Sequence, residues 1–481
     1  MPRPIIVWFR SDLRLRDNRA LLRAVDTGAP IIPVYVLDDE QSDHWRTGSA
    51  SRWWLHHSLA ALAGDLQTLG SRLILRRGNA LTVLAKLAID CKATAVHASR
   101  AYQPWAGQLE TGLKQRLEAD GVDFRRFSGS LLFEPEAVRT KDGRPFKVYS
   151  PFWRAAMEPG DPPRPEPAPR ALAAPARWPA SDDLNAWRLC PEKPDWAAGW
   201  PQHWLPGEAH SQERLKEFLR SSLTDYATDR DRPDRPATSR LSPRLAFGEL
   251  SPATIWHEAL AAARGKPELA AGLSKFCKEI GWREFSYHLL WHFPNLPDAP
   301  FRPEFEKFPW LKSSVALRAW QRGQTGFPIV DAGMRELWQT GYMHNRVRMI
   351  AASFLIKDLM LPWQQGEAWF WDTLVDADLA SNAASWQWVA GCGADAAPYF
   401  RVFNPALQGE KFDPNGVYVR RWVPELARLP HAYIHRPATA PSQVLGEAGV
   451  ELGHTYPRPI VDHAEARERA LLAFKGLKAV V

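Results

Sequence analysis

Thr238-Ser239-Arg240-Leu241-Ser242-Pro243 gathers three hydroxyls and a guanidinium in one short stretch. Ser242-Pro243 reads as an N-cap followed by proline, so a helix is expected to start there. Free backbone N–H groups at a helix start, flanked by hydroxyls, bind phosphate; an ordinary capped turn uses the same residues. A second cluster is Lys278-Glu279-Ile280-Gly281-Trp282-Arg283-Glu284-Phe285. Here Glu279 and Arg283 stand one helical turn apart, as do Trp282 and Ser286. Either Glu279 and Arg283 form a surface ion pair, or Glu279 and Trp282 face one ligand across a cavity. In Met343-His344-Asn345-Arg346-Val347-Arg348-Met349 the alternatives are a solvated helix start, or Asn345 and Arg346 on phosphates or base edges with Arg348 turned inward.

Asp376 and Asp378 precede Trp386-Gln387-Trp388. No His or Cys stands near them, which argues against a metal; a carboxylate paired with an arginine such as Arg348 could lie beneath a cofactor. His288 and His292 have ligand spacing, but Leu289-Leu290-Trp291 between them lacks the glutamate of a zinc protease. No metal site is expected, and no GxSxG nucleophile is present.

These residues need elements to hold them. Residues 1–155 alternate strand-like runs (5–9, 31–37, 72–75, 95–98) with helix-period segments such as 52–69, which predicts an α/β domain on a parallel sheet. Its first strand is not followed by GxGxxG, and GxxxxGK[ST] is absent, so it is no ordinary dinucleotide or P-loop site. Residues 156–207 read as a linker: eight of the 22 residues in 158–179 are proline, a composition expected to run extended over the surface. From 208 to 481 the period is helical, with helices expected over 211–219, 252–263, 276–292, 329–338 and 343–361, giving an all-α C-terminal domain.

The 481 residues carry a net charge of +7, which suits a polyanionic partner. Four scattered cysteines without CxxC spacing fit a reducing compartment. No apolar run is long enough for a bilayer and no secretory leader is evident, so a cytoplasmic protein is expected. Of 23 tryptophans, many fall between Phe276 and Phe400. They could be core, stacking platforms or a path for electrons.

Together with Val7-Trp8-Phe9-Arg10-Ser11-Asp12-Leu13-Arg14, Thr325-Gly326-Phe327-Pro328-Ile329-Val330-Asp331-Ala332 and Phe403-Asn404-Pro405, these motifs resemble the photolyase/cryptochrome family, from Val7 to about Leu426. The resemblance implies a helical domain holding FAD in a U-shape. It also implies a carbon–carbon lyase that repairs cyclobutane pyrimidine dimers, by electron transfer from photoexcited reduced FAD to a flipped-out dimer. The matching FAD positions are Tyr226, Thr238, Ser239, Arg240, Leu241, Ser242, Arg348, Asp376, Asp378 and Asn382, with Arg348 paired to Asp376 and Asn382 near flavin N5. Catalytic and substrate positions are Glu279, Trp282, Asn345, Met349, Asn382 and Trp388. Arg230, Arg346 and Gln408 match contacts to the damaged DNA strand. Trp386, Trp363 and Trp310 match a chain carrying electrons between flavin and surface.

Signalling cryptochromes commonly carry another residue where Asn382 stands, and a long tail expected to be lacking here. Relatives acting on (6-4) products usually have histidine at Asn345, so cyclobutane dimers are the expected substrate. Folate-binding relatives carry an acidic residue shortly after Tyr102; Gln103-Pro104-Trp105-Ala106 has none. The resemblance therefore leaves the antenna chromophore, folate or deazaflavin, open. Phe276 replaces an indole of some relatives, which should alter packing only. A monomer without membrane contact is implied. The rival readings are a photoreceptor that does not repair, and a light-independent flavoprotein or DNA-binding module.

Overall fold

The computed structural model describes residues 2–40, 43–395 and 400–478. Among these, β1 (Ile5–Phe9), β2 (Ile31–Leu37), β3 (Ile74–Arg77), β4 (Ala95–Ser99) and β5 (Asp123–Phe127) form one sheet in the order β3-β2-β1-β4-β5. Every pairing is parallel. Alternate residues of β1 feed two cores. Ile5, Val7 and Phe9 meet Leu55, Leu59, Leu62 and Leu66 of the helix Ser49–Thr68. Ile6 and Trp8 share the other face with Leu84, Leu113 and Leu117. With both faces covered, the central strands are near-continuous apolar runs, which is why they could be read directly.

By its contacts the chain divides into two compact units, Met1–Thr224 with Ser239–Pro294 and Val375–Asp378, and Asp225–Thr238 with Asn295–Leu374 and Leu379–Val481. The first holds the sheet and the long helix Ala270–His292; the second is helical.

Residues 158–207 contain no strand or α-helix, as the prolines require, but they do not simply run over the surface. Leu172, Trp187 and Leu189 are buried in the β1 core, and Trp200 and Trp204 are buried as well. A few large apolar side chains anchor an otherwise irregular segment. The helix Pro252–Ala263 starts as expected, with Ser251 Oγ accepting from Thr254 N at 3.0 Å. The single helix expected over 343–361 is instead Asn345–Ser353 followed by a π-helical turn, Phe354–Asp358. In that wider turn Lys357 Nζ donates to the Arg401 carbonyl and Asp358 meets His463. Contacts this distant in sequence leave no trace in a local period.

Candidate cofactor and substrate site

The first unit contributes a platform. On the helix Ala270–His292, Trp282 remains 36% exposed. Its ring stacks on Tyr149 at 3.7 Å and 10°, and the Tyr149 hydroxyl donates to the Lys278 carbonyl at 2.8 Å. The close approach depends on Gly281, where a Cβ would stand 2.6 Å from the Trp153 ring and 2.8 Å from the Tyr149 hydroxyl. Glu279, one turn from Trp282, pairs with Lys275 at 3.1 Å. The ion pair considered between Glu279 and Arg283 is not formed. Arg283 lies on another face and donates to the Ser130 carbonyl at 3.1 Å and to Glu284 at 3.2 Å.

The hydroxyl segment also belongs largely to this unit. Arg240 adopts a left-handed backbone (φ 54°) that lays its guanidinium over the Trp204 ring at 4.3 Å. Ser242 opens the short helix Ser242–Ala246 as its first residue and is not the N-cap. Its hydroxyl donates instead to Asp376 Oδ2 at 2.5 Å, a stronger bond because the acceptor is a carboxylate. Asp378 accepts from the Tyr287 hydroxyl, and burial holds that phenol well above its ordinary range. Both aspartates thus serve as hydrogen-bond acceptors. Among the described residues no group of three or more His, Cys, Asp or Glu could hold a metal. His288 is structural: its Nε2 accepts from Phe146 N at 3.0 Å, and burial lowers its pKa to about 4.

The second unit brings together most of the remaining candidates. The helix Asn345–Ser353 presents Asn345 exposed and Met349 half-buried. His344 caps it, its Nδ1 accepting from Arg346 N at 3.2 Å. Arg346 pairs with Asp231 at 2.8 Å and lies over the Phe412 ring at 4.5 Å; Arg230 stands beside Tyr226, 5.8 Å from its ring centroid. Arg348 Nε donates to the Met343 carbonyl at 2.7 Å, with Tyr342 beneath its guanidinium. Thr238 is half-buried. On the helix Leu379–Ala390, Asn382 Nδ2 donates to the Glu367 carbonyl at 3.1 Å, which orients the amide. Trp386 follows one turn later; Trp388 is half-buried on another face.

Trp386 is buried with Phe370 at 5.0 Å and Trp320 at 6.2 Å. It fits only because residue 366 is glycine: a Cβ there would meet the indole at 2.1 Å. Trp363 is buried at the start of the helix Trp363–Thr373, and Trp310 is half-buried against Phe308. Gln408 and Arg346 line a groove of about 970 Å³ that also receives Arg232, Arg401 and Lys411.

The first unit has a second cavity, of about 200 Å³, bounded by Trp8, Arg10, Tyr35, Tyr102, Trp105 and Tyr287. No acid follows Tyr102 in sequence, yet its hydroxyl donates to Glu134 at 3.0 Å, and Arg100 pairs with the same carboxylate at 2.7 Å. Sequence reasoning missed Glu134, Tyr149, Gly281 and Gly366. Each acts through a neighbour remote in the chain, and only the bare glycines gave a local signal.

The donor set fits FAD. In the first unit hydroxyls and a guanidinium suit a diphosphate, and the buried Asp376 and half-buried Asp378 suit ring or ribityl donors; in the second, an oriented amide suits a flavin nitrogen. Residues 276–476 match the FAD binding domain of DNA photolyase, and residues 5–170 match the DNA photolyase family. A deoxyribodipyrimidine photo-lyase of Agrobacterium fabrum is 53% identical over 99% of this chain and 98% of its own length. Cryptochrome-1 of Arabidopsis thaliana is 39% identical over 96% of this chain and 69% of its own length. A crystal structure of a bacterial class III photolyase from Agrobacterium tumefaciens superposes with a TM-score of 0.96 at 53% identity, covering 100% of this chain and 98% of that one. An archaeal photolyase from Sulfolobus tokodaii, solved with two FAD molecules, gives 0.80 at 28% identity, covering 98% and 100%. A parallel-sheet domain, a helical FAD-binding domain and this similarity over nearly the full length lead to one conclusion: the chain belongs to the photolyase/cryptochrome family, as an FAD-binding DNA photolyase.

Proposed function

We propose that the protein splits cyclobutane pyrimidine dimers flipped out of DNA, in a light-driven reaction. The observation that carries this reading is Trp282, an indole with one face fixed on Tyr149 and a third of its surface still open, with Glu279 one turn away. Such a platform suits an unstacked base. Reduced FAD, when bound, supplies the photoexcited electron. In this reading Trp282 and Trp388 flank the dimer, Glu279 holds a base edge, and Asn345 and Met349 also contact it. Tyr226, Thr238, Ser239, Arg240, Leu241, Ser242, Arg348, Asp376, Asp378 and Asn382 hold the cofactor. Arg230, Arg346 and Gln408 take phosphates of the damaged strand, so affinity should fall with salt. Trp386, Trp363 and Trp310 pass electrons outward from a buried indole to a half-buried one. Asparagine at 345, where (6-4) enzymes usually have histidine, supports the cyclobutane substrate.

The 200 Å³ cavity near Tyr102 is the proposed antenna site, for a folate or deazaflavin. The reading also takes the protein to be a cytoplasmic monomer, with domains 1–155 and 208–481; size-exclusion chromatography and limited proteolysis within 158–179 check the last two points. The likeness to a plant cryptochrome keeps a photoreceptor role as the second reading. Illuminating the reduced protein with a dimer-containing oligonucleotide separates the two. Recovery of thymine absorbance in light and not in darkness is expected, and failure to recover it defeats the repair proposal.

A further inference from the structure

Near its end the irregular segment 158–207 buries Trp204. The ring sits edge-on to Trp54, with centroids 5.4 Å apart, and carries the Arg240 guanidinium 4.3 Å from its centroid. Trp54 in turn donates from Nε1 to the fully buried Glu249 at 2.9 Å. The same carboxylate accepts from Gly207 N at 2.8 Å and Ser211 Oγ at 2.7 Å. One buried acid thus fixes both the indole that backs Trp204 and the chain three residues beyond it. Arg240 is half-buried, and a cation–π contact strengthens as water is excluded from it.

Arg240 has a use for such an anchor. Its left-handed backbone (φ 54°) is unfavourable for any residue with a Cβ, and glycine alone adopts it freely. The bend lies between Ser239, whose carbonyl accepts from Arg214 Nε at 2.9 Å, and Leu241, which is buried. Were residue 240 to leave this conformation, the chain would change direction between Ser239 and Ser242. The relative placement of their hydroxyls and backbone N–H groups would change with it.

We propose that Trp204 is a positioning residue for the cofactor: by holding the Arg240 side chain it keeps the backbone at 240 left-handed, and so keeps the segment from Ser239 to Ser242 in the shape that receives the FAD diphosphate. The end of the proline-rich segment then serves the cofactor site through Arg240, without touching FAD itself. This rests on the reading of the hydroxyl segment as the diphosphate site. Whatever the Arg240 guanidinium gives the diphosphate directly, the backbone at 240 contributes separately. A segment that relaxes in the flavin-free protein has to be bent back when FAD binds, and that cost appears in Kd.

The test titrates FAD into the full-length chain stripped of flavin, in darkness, with flavin fluorescence as the readout and urea unfolding of each flavin-free variant alongside. Trp204→Leu should weaken FAD binding by about threefold to about thirtyfold, the span of a partly to fully desolvated cation–π contact. Trp204→Phe keeps an aromatic face beneath the guanidinium and should lose less. In an Arg240→Gly background the same Trp204→Leu change should cost almost nothing, because glycine takes the left-handed conformation without a partner. Arg240→Gly should also bind FAD about fivefold or more tightly than Arg240→Met, which lacks the guanidinium equally but keeps the Cβ. That pair leaves Trp204 in place and decides the question if Trp204→Leu does not fold. A Trp204→Leu loss of the same size with arginine or glycine at 240, a loss confined to urea stability, or equal affinities of Arg240→Gly and Arg240→Met overturns the inference. Ser239→Ala tests the reading beneath it. Weaker FAD binding in that variant keeps the diphosphate reading whatever Trp204 does. Unchanged binding there, with a Trp204 effect that Arg240→Gly abolishes, removes the hydroxyl from the diphosphate site and leaves the positioning role standing.

Discussion

In the proposed mechanism single residues carry the electron path and the lesion platform, and each has a substitution that isolates it. Trp386 sits edge-on to Phe370 at 5.0 Å in a slot that Gly366 keeps open. Trp386→Phe keeps an aromatic ring in that slot and removes the easily oxidised indole. Photoreduction of the oxidised flavin, followed by absorbance under blue light, should slow at least about tenfold, equivalent to about 1.4 kcal/mol of added barrier. An unchanged rate removes the chain from the mechanism. Trp282→Ala takes away one stacking face, worth about 1–3 kcal/mol. The dimer-containing duplex should bind roughly tenfold or more weakly, and the undamaged duplex, held by phosphate contacts, about as before. Equal losses for both would deny Trp282 its place under the lesion. The role proposed for these tryptophans comes only from the family resemblance, because an indole in a helical core looks the same whether it conducts or merely packs. Tyr149, which fixes Trp282, could not be found from sequence at all: it lies on another helix, far away in the chain.

At the scale of elements, legibility followed burial. The strands β1, β2 and β4 are apolar through both faces and could be read directly, but β5 (Asp-Phe-Arg-Arg-Phe) is an edge strand with charged, largely exposed residues and gave no such signal. Ser242 was read as a cap because its type and the following proline fit; a carboxylate brought from residue 376 claimed its hydroxyl instead. The helix Ala270–His292 was legible in its second half, and its glycine shows what the pattern could not reveal. Gly281 lies where the helix passes Trp153 and Tyr149 almost in contact. Helix propensity alone favours alanine there by about 1 kcal/mol. The clash with two rigid rings should reverse that sign, so Gly281→Ala should destabilise by about 1–3 kcal/mol in urea unfolding. It should also weaken dimer binding by displacing Trp282. A variant as stable as the parent would mean the rings yield easily and the stack is not held by this approach.

The stability of the molecule as a whole should depend on one proton buried beside that same helix. Glu284 Oε2 accepts from Leu132 N at 2.8 Å and Phe133 N at 3.2 Å, tying the 132–133 segment to the helix Ala270–His292. Those bonds and Arg283 favour the carboxylate, but desolvation outweighs them and lifts the pKa from 4.5 to about 7. Between those values the folded chain holds a proton that the unfolded chain has released. Its stabilising effect is therefore complete below 4.5 and is lost as pH rises through about 7. The shift corresponds to roughly 3 kcal/mol at 1.36 kcal/mol per unit. Glutamine has the shape of the protonated acid and can still accept from both N–H groups, but it has no proton to lose. Urea unfolding of the parent and of Glu284→Gln, compared at about pH 5 and about pH 8, should show the variant gaining relative stability toward higher pH. Other titrating groups are common to both proteins and cancel in the difference. Parallel pH profiles would mean that Glu284 is ionised in the fold across this range, with Arg283 and the two backbone N–H groups outweighing its burial.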